Sequence, residues 1–324
     1  MEDLNKLLEK RGVKEVSRKF YIRNLTRIAE GINDNDYTNN TFLKNTIDVM
    51  RFIQKHSVSV QKNFISSVLV AISLDRKPLP GFEKAYELYN VELKKLYMDN
   101  AVPEGKKTPR EATNWLNWTD ILKIVKVKAN VIKKLGLKAS SRNVDISKDN
   151  FMILQEYVVL ALYTILAPRR LEYGITLIKT EKDYKKLSDK EKKDNAYLVV
   201  KNTRNKYFSF GVETLKSTIG IDKLQIVEVP KELNSVLNTW LNYNKSGFLL
   251  VNEHDNILTR NGLTRLLLKI FNPYHRDISA SMLRKIYISH QDQDDFVKNA
   301  KKLERSKAMN HSLGVSKSHY LKQN

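Results

Sequence analysis

The spacing of apolar residues divides the chain into a helical first part and a mixed second part. In residues 1–100, apolar side chains recur at intervals of three and four residues, which places them along one face of a helix. Polar or helix-breaking residues separate these segments, among them Pro78 and Pro80, which cannot continue a helix. The pattern predicts an all-α bundle with helices over residues 20–32, 42–53, 64–74 and 82–98.

Residues 99–114 interrupt the helical pattern. Their sequence, DNAVPEGKKTPREATN, contains two prolines, one glycine and several charges, and it shows no apolar periodicity. This composition is typical of a linker between domains. We therefore predict a helical domain over residues 1–100, a linker over residues 101–114 with a boundary near residue 108, and a second domain over residues 115–324.

The second domain is predicted to combine helices with a small sheet. A helix begins near Asp120 with Thr119 as its N-cap, and an almost wholly apolar helix over residues 150–166 is expected at the centre of the domain. Four β-prone runs follow, separated after the first by a charged stretch (181–194) that resembles a solvated loop. They cover residues 174–180, 196–202, 206–212 and 224–230. Helical patterns return at residues 231–243, 260–271, 279–290, 293–307 and 314–322. This order predicts a mainly α fold with a small antiparallel sheet, an α+β domain rather than a doubly wound one.

The chain carries a large positive charge. Lys and Arg number 57 against 36 Asp and Glu, which gives a formal net charge of +21. Residues 1–100 hold 17 basic and 13 acidic side chains, so +4 of this charge lies there and +17 lies in residues 101–324. An excess of this size is more than solubility requires and indicates a polyanionic partner, nucleic acid first of all.

Several classes of site find no support in the sequence. The chain has no cysteine, which excludes disulfides, thiolate metal sites and cysteine nucleophiles, and it has only six histidines. It contains neither GxGxxG nor GxxxxGK[ST], so binding of nucleoside triphosphates is not expected. No apolar run approaches the roughly 18 residues that span a bilayer, and the start MEDLNKLLEKRG is unlike a signal peptide. We expect an intracellular protein that is not secreted, does not enter membranes and uses no metal or cofactor.

Three segments carry residues suited to phosphodiester transfer, which needs a nucleophile, cations for the phosphate oxygens and an acid for the leaving oxygen. The first, YTILAPRRLEYG at 163–174, ends the apolar helix with two adjacent arginines. A guanidinium beside an apolar face is costly unless a carboxylate or a phosphate pairs with it. Arg170 is therefore a candidate anion clamp, and the alternative is that it only pairs with a buried acid such as Glu172.

The other two segments lie near the end of the chain. In DISASMLRKIYISHQ (277–291), Arg284 follows the small residues Ser279, Ala280 and Ser281, which leave room for a DNA backbone. The alternative is an ordinary surface arginine on an amphipathic helix. In AMNHSLGVSKSHYLKQN (308–324), His311 precedes Tyr320 by nine residues, and a turn at Gly314 followed by a helix could bring both to one phosphate.

Together and in this order, the three segments resemble the tyrosine recombinase/integrase family over residues 115–324. The catalytic domain of that family carries an Arg, a β-hairpin Lys, a His-x-x-Arg box, a His or Trp, and a Tyr nine residues later. The resemblance assigns Arg284, His311 and the nucleophile Tyr320. Ala-Pro-Arg-Arg takes the place of Thr-Gly-x-Arg, so Arg170 is the first match and Arg169 the substitute, in a form similar to viral and transposon relatives.

The resemblance is incomplete at two positions. Ser281 replaces the histidine that opens the His-x-x-Arg box, and a hydroxyl can donate a hydrogen bond to phosphate but carries no charge. His275, nine residues before Arg284, is the alternative source of charge if its loop folds inward. The β-hairpin lysine lies in a variable region, where Lys216 is our first assignment and Lys201 our second.

The resemblance implies a two-domain clamp on double-stranded DNA and a 3′-phosphotyrosine intermediate that conserves bond energy, so neither metal nor ATP is required. It also implies a homo-oligomer, a tetramer on two DNA sites. Two alternatives remain: a type IB topoisomerase, which uses the same residues as a monomer, and a DNA-binding relative without catalysis, which the change at Ser281 favours.

The charge distribution leads to a first prediction, on DNA affinity. A protein that neutralises six to ten phosphates loses about 10³- to 10⁵-fold in affinity between 50 and 200 mM salt, because counterions are released on binding. We expect a fall of this order for a mixed-sequence duplex, measured by fluorescence anisotropy. An affinity that stays flat over this range would contradict a DNA clamp.

Overall fold

The computed structural model describes residues 2–33, 40–101, 106–141, 145–215 and 224–293, together with residues 306, 308 and 309. The chain divides into two compact units, Met1–Ala101 and Val102–Asn324, which we call unit 1 and unit 2. The division falls inside the predicted linker, on the N-terminal side of residue 108. Among the described residues, no helix is both long and apolar enough to cross a bilayer.

Unit 1 is a helical bundle with one short hairpin. Its core is apolar, and the buried hydroxyl of Tyr89 donates to the carbonyl of Leu43 at 3.0 Å. The predicted helix over residues 64–74 ends earlier, because Ser73 and Leu74 pair antiparallel with the two residues of the second strand. The elements are α1 (Glu2–Lys10), α2 (Glu15–Gly31), a 3-10 turn (Thr41–Lys44), α3 (Thr46–Gln54), α4 (Val58–Ala71), β1 (Ser73–Leu74), β2 (Lys77–Pro78) and α5 (Glu83–Asp99).

Unit 2 packs helices around a buried central helix and a four-stranded sheet. Its helices are α6 (Pro109–Asn114), α7 (Trp118–Lys134), α8 (Lys148–Thr164), α9 (Glu181–Lys185), α10 (Asp189–Asp194), α11 (Lys231–Tyr243), α12 (Thr259–Phe271) and α13 (Ala280–Gln293). Helix α7 begins before the predicted Asp120, with Asn117 rather than Thr119 as its N-cap. Helix α8 is buried almost continuously from Leu154 to Tyr163, which confirms the predicted central helix. The mainly α fold with one small sheet is therefore confirmed.

The sheet lies in the order β3 (Thr176–Thr180), β4 (Ala196–Val200), β5 (Lys206–Phe210) and β6 (Gln225–Glu228), which confirms all four predicted strands. It is mixed rather than wholly antiparallel, because β3 and β4 run parallel. Parallel neighbours need a crossover connection, and helices α9 and α10 provide it where a solvated loop was predicted. Both begin at side-chain caps, Thr180 and Ser188, which accept from backbone amides three residues on.

A buried glutamine joins the central helix to the chain after α11. The amide of Gln155 is fully buried, and its nitrogen donates to the carbonyl of Val251 at 2.9 Å. Its oxygen accepts from the amide of the same valine at 2.8 Å. The side chain of Gln155 therefore supplies hydrogen-bond partners for both the amide and the carbonyl of Val251.

Replacing Gln155 by leucine should destabilise unit 2 by about 3 kcal/mol, because two buried main-chain groups lose their partners. Urea denaturation followed by tryptophan fluorescence measures the change, since Trp115, Trp118 and Trp240 all lie in unit 2. The exposed Asn130 of α7 offers a control, and Asn130→Leu should change stability by less than about 0.5 kcal/mol. Equal effects of the two substitutions would contradict a structural role for the amide.

Candidate active site

Arg169 lies buried where the chain leaves the central helix. The residue is 2% exposed, and its guanidinium lies over the ring of Phe210 at 3.8 Å. Nη1 donates to the carbonyl of Ala308 and Nη2 to the side-chain oxygen of Gln225, both at 2.8 Å. Nε lies 4.0 Å from Oε2 of Glu172, so the charge of this guanidinium is balanced by a buried carboxylate.

Arg284 is the second buried guanidinium. Helix α13 turns it inward beside the core residues Leu283 and Ile286, and the residue is 0% exposed. Its Nη2 donates to the carbonyl of Met309 at 3.0 Å. The sequence predicted that this arginine emerges among small residues; it lies instead on the buried face of the helix.

The two arginines meet at consecutive carbonyls. Ala308 and Met309 lie three and two residues before His311, and the side chain of Met309 packs against Ile288 of α13. Because neighbouring main-chain oxygens accept from both, the guanidiniums lie close together although 115 positions separate them in the chain. The two positive charges repel each other because they lie close together, and the negative charge of Glu172 offsets part of that repulsion.

Two buried tyrosines adjoin the arginine pair. Burial raises the pKa of Tyr163 well above its ordinary value, and Glu172 raises it further. The charges of Arg284 and Arg169 lower it, which reflects how near both guanidiniums lie to this phenol. Burial also raises the pKa of Tyr173, whose ring packs edge-on against that of Tyr163. A phenol that stays protonated and buried is a poor nucleophile, so these tyrosines serve as the wall of the site.

The other predicted residues of this region do not share the burial of the pair. Arg170 is half-buried, and its carbonyl, not its guanidinium, takes part in the site by accepting from the hydroxyl of Tyr163. Ser281 is exposed at the start of α13. His275 is exposed in a left-handed conformation (φ 54°) that ends a 3-10 turn. Sequence reasoning placed the clamp at Arg170, whereas the structure brings Arg169 to Arg284.

The lysine assignments are only partly located. Lys201 lies in the exposed turn between β4 and β5, with its ammonium 5.1 Å from the ring centre of Tyr207. Arg169 contacts Phe210, at the other end of β5, so this turn is separated from the arginine pair by the length of the strand. Lys216, His311 and Tyr320 lie outside the described residues.

One lysine at this hairpin was not singled out from the sequence. Lys206 is 1% exposed on the face of β5 shared with Phe208 and Phe210, and burial lowers its pKa. Its ammonium donates to Asn234 and Asn238 of α11 at 2.7 and 2.5 Å and to the carbonyl of Thr203 at 3.2 Å. The lysine therefore fastens the hairpin turn to a helix.

Comparisons with protein-family models and with curated proteins find no match. Among solved structures, the chain is similar to the XerA recombinase, with 11% identity, a TM-score of 0.39, and coverage of 99% of this chain and 92% of that one. It is also similar to the XerH site-specific recombinase bound to a palindromic difH substrate in a post-cleavage complex. There the identity is 18%, the TM-score 0.47, and the coverage 96% of this chain and 79% of that one.

The two adjacent arginines should differ in their effect on stability. Arg169→Met leaves the buried carboxylate of Glu172 without its counter-charge, which typically costs about 3–5 kcal/mol. Arg170→Met removes a half-exposed side chain and should cost less than about 1 kcal/mol. Urea denaturation of the full chain measures both losses of stability, because its tryptophan fluorescence reports on unit 2.

A second substitution tests the cause. Adding Glu172→Gln to Arg169→Met removes the unpaired charge, so part of the lost stability should return. Equal losses for the two arginine variants, or no recovery in the double variant, would show that Arg169 and Glu172 do not act as a pair.

Proposed function

We propose that the protein is a site-specific DNA recombinase that cleaves and rejoins DNA through a 3′-phosphotyrosine link to Tyr320. The observation that carries the proposal is the pair of buried guanidiniums of Arg169 and Arg284, gathered at the carbonyls of Ala308 and Met309. The chain continues from these carbonyls directly to His311 and then to Tyr320. Two arginines, a histidine and a tyrosine are among the groups that the motif resemblance requires.

Paired arginines suit the transition state of phosphoryl transfer. Negative charge accumulates on the non-bridging oxygens as the attacking oxygen approaches phosphorus, and fixed guanidiniums stabilise it without reorganising. The two side chains come from the end of α8 and from α13, so their positions are set by the core of unit 2 rather than by flexible loops. We therefore assign the first arginine of the motif to Arg169 and give Arg170 the role of a contact to the DNA backbone.

The remaining groups follow the motif. The phenol oxygen of Tyr320 forms a bond to phosphorus as the bond to the 5′-oxygen breaks, and the phenol proton is lost to a base. His311 joins the arginines in stabilising charge, and Ser281 or His275 takes the place of the missing box histidine. A lysine, Lys216 first and Lys201 second, gives a proton to the departing 5′-oxygen. The phosphotyrosine retains the bond energy, so religation needs no ATP and no metal.

Charge and architecture support DNA as the partner. The +21 net charge would be distributed along the phosphates of a duplex. In this proposal both units bind the duplex, the helical unit 1 as a DNA-binding domain and unit 2 as the catalytic domain. Exchange between two sites requires four active protomers, so we propose a tetramer that assembles on DNA, wherever in the cell that DNA lies.

The covalent link provides the direct test. Wild-type protein mixed with nicked, labelled duplex in the presence of a chelator should give a protease-sensitive protein–DNA band on a denaturing gel. Tyr320→Phe should bind the same duplex with near-normal affinity and give no band, because only the nucleophilic oxygen is lost.

The outcomes separate the alternatives. A band from Tyr320→Phe would place the nucleophile on another tyrosine. The absence of a band from the wild type on every duplex tried would favour a DNA-binding protein without catalysis. A band accompanied by relaxation of a single-site plasmid, without exchange between paired sites, would favour a topoisomerase.

A further inference from the structure

Helix α13 has two functional sides. One side turns Arg284 toward the carbonyl of Met309. The other side faces the segment that follows the boundary between the units, residues 108–118, which we call the entry segment. Consecutive residues on a helix point about 100° apart, so the direction in which Lys285 is held fixes the direction of Arg284.

Glu111 of the entry segment has two tasks. Its Oε2 accepts from the backbone amide of Thr108 at 2.8 Å, completing a capping box that forms the short helix α6. Its Oε1 accepts from the ammonium of Lys285. Glu111 is 5% exposed, so the partners of this ion pair are held in one arrangement with little competition from water.

Further contacts of the entry segment grip the same helix and the loop before it. The side-chain oxygen of Asn114 accepts from the amide of Asp277 at 2.6 Å. The ring of Trp118 lies edge-on to Tyr287 at 5.1 Å and stacks on His290 at 6.4 Å. These contacts span α13 from the preceding loop to its last turn.

We propose that Glu111 and Lys285 are positioning residues that set the rotation and depth of α13, and thereby hold Arg284 against the reacting phosphate. The inference rests on the proposed strand-transfer function. It assigns the entry segment a role in the chemistry. Glu111 of this segment, acting through Lys285, orients a catalytic arginine of unit 2.

The effect should appear in catalysis rather than in binding. Displacement of a charge-stabilising group by about 1 Å can cost up to roughly a hundredfold in rate. We expect Lys285→Met to slow formation of the covalent adduct by about ten- to a hundredfold while the affinity for duplex stays within about twofold. Lys285→Arg retains the ion pair and should restore most of the rate.

A substrate change separates positioning from general structural damage. A methylphosphonate at the cleavage site replaces one charged non-bridging oxygen by a methyl group, so less charge needs a guanidinium. The defect of Lys285→Met should shrink to less than about threefold on this substrate. A variant that had merely loosened the fold would be equally slow on both.

The chain offers a matched control. Lys128 pairs with Glu156 between α7 and α8, and its side chain is 22% exposed, against 24% for Lys285. The partner carboxylates are 9% and 7% exposed. Lys128→Met should leave the rate of adduct formation unchanged, because this pair joins α7 to the middle of α8, away from the helix end that leads to Arg169, and Glu156 keeps Lys269 of α12 as a second partner.

Each result decides between the two levels of the proposal. If wild type forms no adduct, the proposed function fails and the positioning role fails with it. If wild type forms the adduct but Lys285→Met matches Lys128→Met, or Lys285→Arg does not restore the rate, the positioning role alone fails. If even the wild type does not cleave the methylphosphonate, the comparison is made on the ordinary phosphodiester. A rate that is low in Lys285→Met and close to wild type in Lys285→Arg then supports the positioning role.

Discussion

A guanidinium buried among apolar side chains costs several kcal/mol unless hydrogen-bond acceptors surround it, and unit 2 buries two of them side by side. Arg169 donates hydrogen bonds to two distant parts of the chain, Gln225 at the start of β6 and the carbonyl of Ala308, and the carboxylate of Glu172 lies 4.0 Å from its Nε as an ionic partner. Arg284 adds the next carbonyl. The sheet, the end of α8, α13 and the carbonyls of residues 308 and 309 must therefore come together for these charges to be tolerated, which makes the arginine pair a condition of folding in this unit.

Helix α13 connects this centre to the rest of the chain. Most of its apolar residues belong to the main core, Arg284 faces the carbonyl of Met309, and Lys285 and Tyr287 face the entry segment. A helix held on three sides has little freedom to rotate, and catalysis by fixed charges depends on such rigidity. The hairpin between β4 and β5 is held in a similar way by Lys206, which shows a second place where a buried cation organises local structure in unit 2.

The sequence predicted the elements better than their partners. Helix α8 and the strands β3 to β6 are encoded in local apolar patterns, and they appear within a few residues of their predicted ends. The choice between Arg169 and Arg170 is different in kind, because adjacent residues after a helix end point in different directions and only the packing of the following turn decides which is buried. The spacing of Arg169 and Glu172 was the one available signal.

Lys206 occupies a core-facing position that the strand pattern would give to an apolar residue, so nothing local marked it. The parallel pairing of β3 and β4 depended on α9 and α10, whose charged sequence is that of a loop apart from its caps.

The contacts at residues 308 and 309 have an evolutionary consequence. Both guanidiniums bind main-chain carbonyls, which every amino acid supplies, so neither hydrogen bond specifies a side chain at these positions. Substitution at Ala308 would leave the bond to Arg169 in place, whereas inserting or deleting one residue would shift the carbonyls out of register with both arginines. Selection acting through these bonds therefore preserves the number of residues around positions 308 and 309 more strictly than their identity. Descendants of this chain can accept substitutions there but not insertions or deletions.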